Sequence, residues 1–455
     1  MANKMIIRWV CEKDNKKWIY PVQKCTYCKE QTTKMVSNEA KVIGVTNVNI
    51  PSPLHPITPY SVILLEDEHG NRMPKKTMKK YSIGDSFTFN KASSNDAVAL
   101  MKIKYDLSEA LKQTISLLKE NPISKDDKVL VVPTLFEPAY SYQAVNTNPE
   151  LVNEIISYLK GVGVTDIVVG SGAQIGNDAT ACAKKSGILA VCKKQEVPFV
   201  DLSKGEFVEK ESEGITFKIS KEMFDRKAII VPVLKTHSLF GVVGVLENLT
   251  RVCDTKTQIT MYAKDIDKTI HTLYSLLPTM LCIGDGTIGM NNQGPTIIGE
   301  PAFLNMLYVS TNAANLDAVF ADAAMIENAT YLANVSVRNI EVVGDELEAV
   351  KYNLNPAKPH DTPHPRIKVI NGKANPAQFN AVHTVASKLF GLAGHKMHIV
   401  IGKYHNKEIM QGKNRLVAYG ADAIMALKEL NITPLAEIAE ELDPTEKIML
   451  VKSIL

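Results

Sequence analysis

Three clusters of residues in this sequence have the types and spacing to do chemistry. The first is Lys235-Thr236-His237-Ser238, followed closely by Glu247-Asn248. A lysine there can hold an anion, a histidine can act as acid or base, and the later carboxylate and amide can return to the same pocket. The same residues also suit a satisfied core histidine beside a surface lysine. The second cluster is Gly284-Asp285-Gly286. Its carboxylate could bind a hard metal, orient a lysine or take a proton, and its glycines allow close backbone approach. Lys235, His237 and Asp285 are therefore the candidate catalytic residues, with Asn248, Gly284 and Gly286 as candidate ligand contacts. The third cluster is Cys11, Cys25 and Cys28, in the pattern C-x13-C-x2-C, with Asp14 where a fourth cysteine would stand in a two-knuckle site. Thiolates at that spacing suit tetrahedral zinc, and a carboxylate can complete the set. A ribbon that has lost its metal and survives on packing around Trp9, Trp18 and Tyr20, or a redox dithiol, fits the same residues.

Secondary structure must position these side chains, and the hydrophobic pattern predicts an α/β body over residues 91–355. Lys128 to Val132, Asp166 to Val169, Ala228 to Leu234 and Thr279 to Ile283 are short apolar runs of the buried-strand kind. Helical spacing covers Asp106 to Lys119 and about Pro149 to Leu159. This alternation predicts a mostly parallel sheet with covering helices. In such sheets ligands bind beyond the carboxyl ends of strands, so Lys235, His237 and Asp285 are expected just past strand termini. The strand ending at Val169 runs into Gly170-Ser-Gly172-Ala-Gln-Ile-Gly176-Asn177-Asp178. Amides around Gly170, Gly172 and Gly176 could cup an anion at a helix start; alternatively, Asn177 or Asp178 simply caps that helix. The glycine spacing is a poor dinucleotide fingerprint and no Walker lysine follows. Residues 356–455 continue the strand–glycine–helix style as an extension or small lobe. Its opening Pro-rich run with His360, Asp361 and His364 is a loop that could hold a metal.

The chain of 455 residues is 45% hydrophobic and 22% charged, ordinary for a soluble globular protein. Seven cysteines, an odd number in a long chain, do not make a disulfide scaffold. No signal-peptide layout opens the chain and no apolar run is long enough to span a membrane, so a cytoplasmic protein is expected. Residues 1–90 carry fourteen Lys/Arg against eight Asp/Glu, while the remainder is close to neutral. A basic module suits an anionic partner or a solvated lysine-rich face. Residues 36–90 hold several β-rich runs around a proline-rich loop from Pro51 to Pro59, which suggests a small barrel of the oligonucleotide/oligosaccharide-binding (OB) type.

Two resemblances follow. Residues 5–90 resemble the rubredoxin-like zinc ribbon plus OB-fold family found beside thiolases and acyl-CoA enzymes. The cues are the Cys25/Cys28 knuckle, the Gly44 strand, the proline loop, Leu64-Leu65-Glu66 and Ile83-Gly84-Asp85. The resemblance implies a zinc ribbon over residues 1–35, a barrel over 36–90, docking on a thiolase-like partner, and a CoA-thioester site. Asp14 departs from the four-cysteine pattern. Residues ~125–350 resemble the domain-of-unknown-function family three-six-two. The matching features are Asn148-Pro149-Glu150, the Gly170–Asp178 loop, Lys235-Thr236-His237, Glu247-Asn248, Gly284-Asp285-Gly286 with Gly294-Pro295, and Asn315-Leu316-Asp317. Val132-Pro133-Thr134 stands where that family has a lysine–proline–asparagine run. Two functions are thus set against each other. One is an enzyme acting on a small anionic, CoA-linked substrate by proton-transfer or acyl/carboxylate chemistry. The other is a scaffold or metabolite-binding subunit docking on a thiolase-like protein. Nucleic acid is the third and weakest partner, and a homo-oligomer is compatible with either of the first two.

Overall fold

A computed structural model describes residues 6–37, 39–53, 55–104, 106–175, 177–237, 240–263, 266–297, 299–327, 329–357, 366–372, 374, 378, 381–382, 385–386, 389, 395–406, 415–442 and 444–455. The run with His360, Asp361 and His364 lies outside them, as does Gly176.

The apolar runs assemble into one eleven-stranded sheet. Its main path is Phe199–Val200, Asp166–Gly170, Lys128–Pro133, Lys227–Val231, Leu281–Asn291, Met306–Ser310, Val98–Lys102 and Val342–Gly344. Successive side chains on these strands enter opposite cores. Leu130, Ile230 and Cys282 face one, and Val129, Ile229 and Leu281 face the other. This burial on both faces explains why the strands are continuously apolar and not alternating. Helices Leu107–Ser116 and Pro149–Gly161 cover one face, and Ile266–Leu276 and Ala313–Ala323 cover the other.

The expectation of a mostly parallel sheet holds for only part of it. From Phe199–Val200 to Leu281–Asn291 the neighbours are parallel, but Met306–Ser310 runs antiparallel to both Leu281–Asn291 and Val98–Lys102. Among its described residues the short connection from Asn291 to Met306 carries no crossover helix, and without one the returning strand must be antiparallel.

A second correction concerns the candidate residues. Lys235 and His237 lie inside the strand Val233–His237, not beyond its end, and Asp285 lies within Leu281–Asn291. The apolar run around residues 228–234 is two strands split at Pro232, which has no N–H to give to a ladder. The second strand pairs in parallel with the far part of Leu281–Asn291 and antiparallel with Gly241–Val243. Backbone pairing thus continues past the point where apolar character stops.

Residues before 90 form two antiparallel sheets, one of three strands and one of four. The four-stranded sheet runs Arg72–Thr77, Tyr60–Asp67, Ala40–Val48, Ser86–Phe87. Its buried Val42, Ile63, Leu65 and Phe87 belong to the same apolar cluster as the helix Leu107–Ser116. Ion pairs Lys75–Asp345 and Lys34–Glu109 bridge it and the three-stranded sheet to the body. The tail forms its own four-stranded parallel sheet, Ile367–Gly372, Met397–Gly402, Leu416–Tyr419 and Ala436–Ile438. Among the described residues no helix is long and apolar enough to cross a membrane.

Candidate functional site

The strand Val233–His237 is buried at every position. Strand alternation puts Lys235 and His237 on one face, with Cα atoms about 7 Å apart. On the other face, the Thr236 hydroxyl donates to the Asn292 carbonyl at 2.8 Å. The Lys235 ammonium donates to the Val145 carbonyl at 3.0 Å and stands 4.6 Å from the centre of the Phe136 ring. Burial pushes its pKa down to about 7; Glu247 opposes the shift, Arg251 adds to it, and Glu137 opposes it. Burial likewise pushes His237 down to about 3, against the pull of Glu247. Its Nδ1 accepts from the Phe240 amide at 3.3 Å, so in the neutral ring the proton belongs on Nε2.

A short helix, Val245–Asn248, brings the second half of the cluster. Its first amides, of Val245 and Leu246, donate to the two carboxylate oxygens of Asp317 at 2.6 and 3.0 Å. Gly244 is required there, because a Cβ would lie 2.2 Å from Asp317 Oδ1. Asp317 therefore anchors the helix, and burial raises its pKa to about 7 despite those hydrogen bonds. The helix presents Glu247, which receives the Arg251 guanidinium at 2.6 Å with both side chains buried. Arg251 also stands 5.3 Å from the Phe136 ring, so one ring meets both Lys235 and Arg251. Asn248 is 1% exposed, and among the described residues neither its side-chain amide oxygen nor its nitrogen has a hydrogen-bond partner. Gln174, whose backbone amide donates to the Phe136 carbonyl, has a buried Oε1 without a partner among the described residues.

Asp285 is engaged elsewhere. Its carboxylate accepts from the Asn148 amide at 2.7 Å, the Thr287 amide at 3.0 Å and the Thr287 hydroxyl at 2.6 Å. It thus ties the capping residue of the helix Pro149–Gly161 to the sheet. Burial lifts its pKa to about 6 against those three bonds. Glu247 and Arg251 act on both Lys235 and His237; Glu137 also acts on Lys235, and Lys235 itself lowers His237.

The glycines serve close packing. A Cβ on Gly170 would lie 2.6 Å from the Val200 side chain, one on Gly172 2.6 Å from the Arg251 carbonyl, and one on Gly286 2.7 Å from that of Met306. At Gly284 it would lie 3.1–3.3 Å from Tyr308, Leu316 and Leu234. In the loop after Gly170, the amides of Ser171, Gly172, Gln174 and Asn177 already donate to protein carbonyls. Asp178 caps the helix Ala179–Ser186 by accepting from the Ala181 amide. Sequence reasoning missed Phe136, Glu137 and Arg251. Signals for two of them existed: Phe136 follows the end of the strand Lys128–Pro133, and Arg251 stands four residues after Glu247 on a helical run.

The cysteine cluster stands apart. One ligand atom each from Cys11, Asp14, Cys25 and Cys28 lies within 4.8 Å of all the others. Cys11 and Cys28 sulfurs are 3.4 Å apart, and the Cys25 sulfur is 3.1 Å from Asp14 Oδ2. Amides of Asp14 and Tyr27 donate to the Cys11 and Cys25 sulfurs at 3.4 Å. Four donors converging on one point fit a metal ion, since tetrahedral thiolate ligands at ~2.3 Å from zinc must approach one another this closely. Cys182, Cys192, Cys253 and Cys282 are buried and dispersed.

No curated protein matches the chain. Among solved structures, Ltp2-ChsH2(DUF35) aldolase is 17% identical over 19% of this chain and 73% of that one, with a TM-score of 0.16. The lactate racemase apoprotein from Thermoanaerobacterium thermosaccharolyticum is 15% identical over 82% and 93%, with a TM-score of 0.31. A Thermotoga maritima protein is 15% identical over 44% and 52%, with a TM-score of 0.28. Likeness this distant leaves the chemistry to the residues themselves. Residues 129–322, which include Lys235, His237, Glu247, Asn248 and Arg251, match the model of a family described as Domain of unknown function (DUF362).

Proposed function

We propose that the chain is a metabolic enzyme that binds a small anionic substrate between Lys235, His237 and Asn248 and catalyses proton transfer. The observation that carries this is the carboxamide of Asn248, buried and, among the described residues, without a partner for either polar atom. An unpaired buried amide costs about 1–3 kcal/mol, and a substrate that presents an acceptor and a donor side by side recovers it. A carboxylic acid or thioester with an adjacent hydroxyl has that form. Lys235, with a pKa near 7, is half neutral at neutral pH and can take a proton from carbon and return it. His237 keeps its Nε2 proton and can donate to the oxyanion that forms. The Glu247–Arg251 pair holds the short helix and supplies the field that tunes Lys235.

CoA-linked acids belong to this substrate class, and the basic N-terminal module favours their phosphates. Cys11, Asp14, Cys25 and Cys28 would hold zinc as a structural ion that fixes the ribbon, with the antiparallel strands after it as the barrel. A thiolase-like enzyme is the proposed partner and the cytoplasm the proposed location.

Deuterium exchange reports the proton transfer itself, whatever product follows from it. Short 2-hydroxy acids, simple carboxylates and their CoA thioesters would be incubated with enzyme in D2O and followed by NMR. Exchange at the carbon beside the carboxyl group is expected, with a loss of ~10²–10⁴-fold in Lys235→Met. Absence of exchange across the panel, or equal exchange by Lys235→Met, overturns it.

A further inference from the structure

A cavity lined by none of Lys235, His237, Glu247, Asn248 and Arg251 lies where the N-terminal sheets meet the body, and its volume is about 180 Å³. A single water needs roughly 10–15 Å³ of such space, so a chain of several heavy atoms fits. The walls are apolar: Trp9, Met73, Phe89, Met101 and Ala110 line it. The polar lining is unbalanced. Arg8, Arg72, Lys75, Lys102 and Lys104 supply cations, against Asp106, Glu109 and Asp345.

The acids are already matched. Asp345 is paired with Lys75, and Glu109 and Asp106 are both within reach of Lys34. Of the cations, Arg72 is held by Glu66 at 2.7 Å. Arg8 donates to the carbonyls of Ile7 and Arg72. Lys104 donates to the carbonyl of Pro74 at 3.4 Å, which carries no charge. Desolvation lowers the pKa of the Lys104 ammonium to about 8; the carboxylate of Asp345 opposes that shift, and the cations Lys75, Lys102 and Arg8 add to it, as expected where positive charge is in excess. Lys102 and Lys104 are both exposed. Positive charge therefore gathers at the rim of an apolar cleft.

We propose that this cleft binds an anionic amphiphile, a linear apolar chain of about eight carbons lying against Trp9, Phe89 and Met101 with its anionic head at Lys102 and Lys104, beside Arg8. A carboxylate and a phosphate ester share this chemistry. The charge excess selects for an anion, and the apolar walls select for the chain it carries. The proposal does not depend on the reaction at Lys235.

Intrinsic fluorescence provides the test. The chain has two tryptophans. Trp9 lines the cleft, and Trp18 is its cross-strand partner. Full-length protein would be titrated with octanoate, octyl phosphate and 1-octanol while tryptophan emission is followed. A saturable change with one or both anions and a much weaker one with octanol is expected. Octanoate alone would identify a carboxylate head, and octyl phosphate alone a phosphate head. Lys102→Gln/Lys104→Gln should weaken anion binding by roughly tenfold or more; both side chains are exposed, so this variant should fold. Ala110→Leu, which fills the cleft, should remove binding of all three. Equal binding of octanol and the anions, no saturable change, or unchanged affinity in the double variant overturns the proposal.

Discussion

Replacing Lys235 with methionine tests the electrostatics on which the proton-transfer assignment rests. Lys235 is 1% exposed, and its pKa falls from 10.5 to about 7. Between those values the unfolded chain carries a proton on this amine and the folded chain does not. Stability therefore rises with pH in that window, by about 1.4 kcal/mol per unit for this one group. Over the whole shift the effect is roughly 5 kcal/mol. Methionine has similar length and no proton to bind, so Lys235→Met should be the more stable protein near pH 7.5. Its advantage should shrink by about 3 kcal/mol by pH 9.5. Urea denaturation of both proteins at half-unit steps measures this directly. The window lies above the normal titration range of histidine, so His237 is neutral in both states and does not contribute. A constant difference between the two proteins across the window would mean that Lys235 is charged in the folded state. The case for it as a base at neutral pH would then fail.

Arg251→Met leaves the Glu247 carboxylate buried alone and should cost about 3–5 kcal/mol in urea denaturation; adding Glu247→Gln should restore most of it, and a double variant no better than the single would show the pair is not the cause. Burial holds His237 neutral down to about 3, while an unfolded histidine takes a proton near its usual 6.5, so stability should drop as pH falls between those values and His237→Phe should flatten that limb. Zinc analysis after dialysis against a chelator should find metal retained by the native protein, retained more firmly by Asp14→Cys and lost from Cys25→Ser; equal loss from all three would contradict the ribbon site. Gly172→Ala forces a Cβ to within 2.6 Å of the Arg251 carbonyl, so it should lower the melting temperature by the equivalent of about 1–3 kcal/mol, whereas an unchanged melting curve would show slack in that loop.

Much of the frame was legible from residue order because it depends on local rules. Apolar runs separated by helical spacing announce an α/β sheet buried on both faces, and the strands at residues 128–133 and 166–170 lie where the pattern placed them. Asn148 before Pro149 marks a capped helix start, since the side chain and the ring each suit that position. The spacing C-x13-C-x2-C foretold four converging donors because a knuckle is a local turn, and the second half needs only one hairpin to return. Lys235 and His237 stood out because ionisable residues directly after an apolar run are uncommon.

Tertiary structure alone decided the rest. Strand pairing carries the chain on past Pro232 because its ladder partner is a distant eleven-residue strand, and no local pattern encodes that. The direction of Met306–Ser310 depends on how its connection crosses the sheet. Asp285 looked as promising as Lys235 in the sequence, yet its oxygens are taken by Asn148 and Thr287, the former 137 residues away in the chain. Arg251 and Phe136 joined the site only when the short helix and the strand end met over Lys235. What a side chain can do depends on its charge, its burial and its partners. Residue order specifies the first, and only packing specifies the other two.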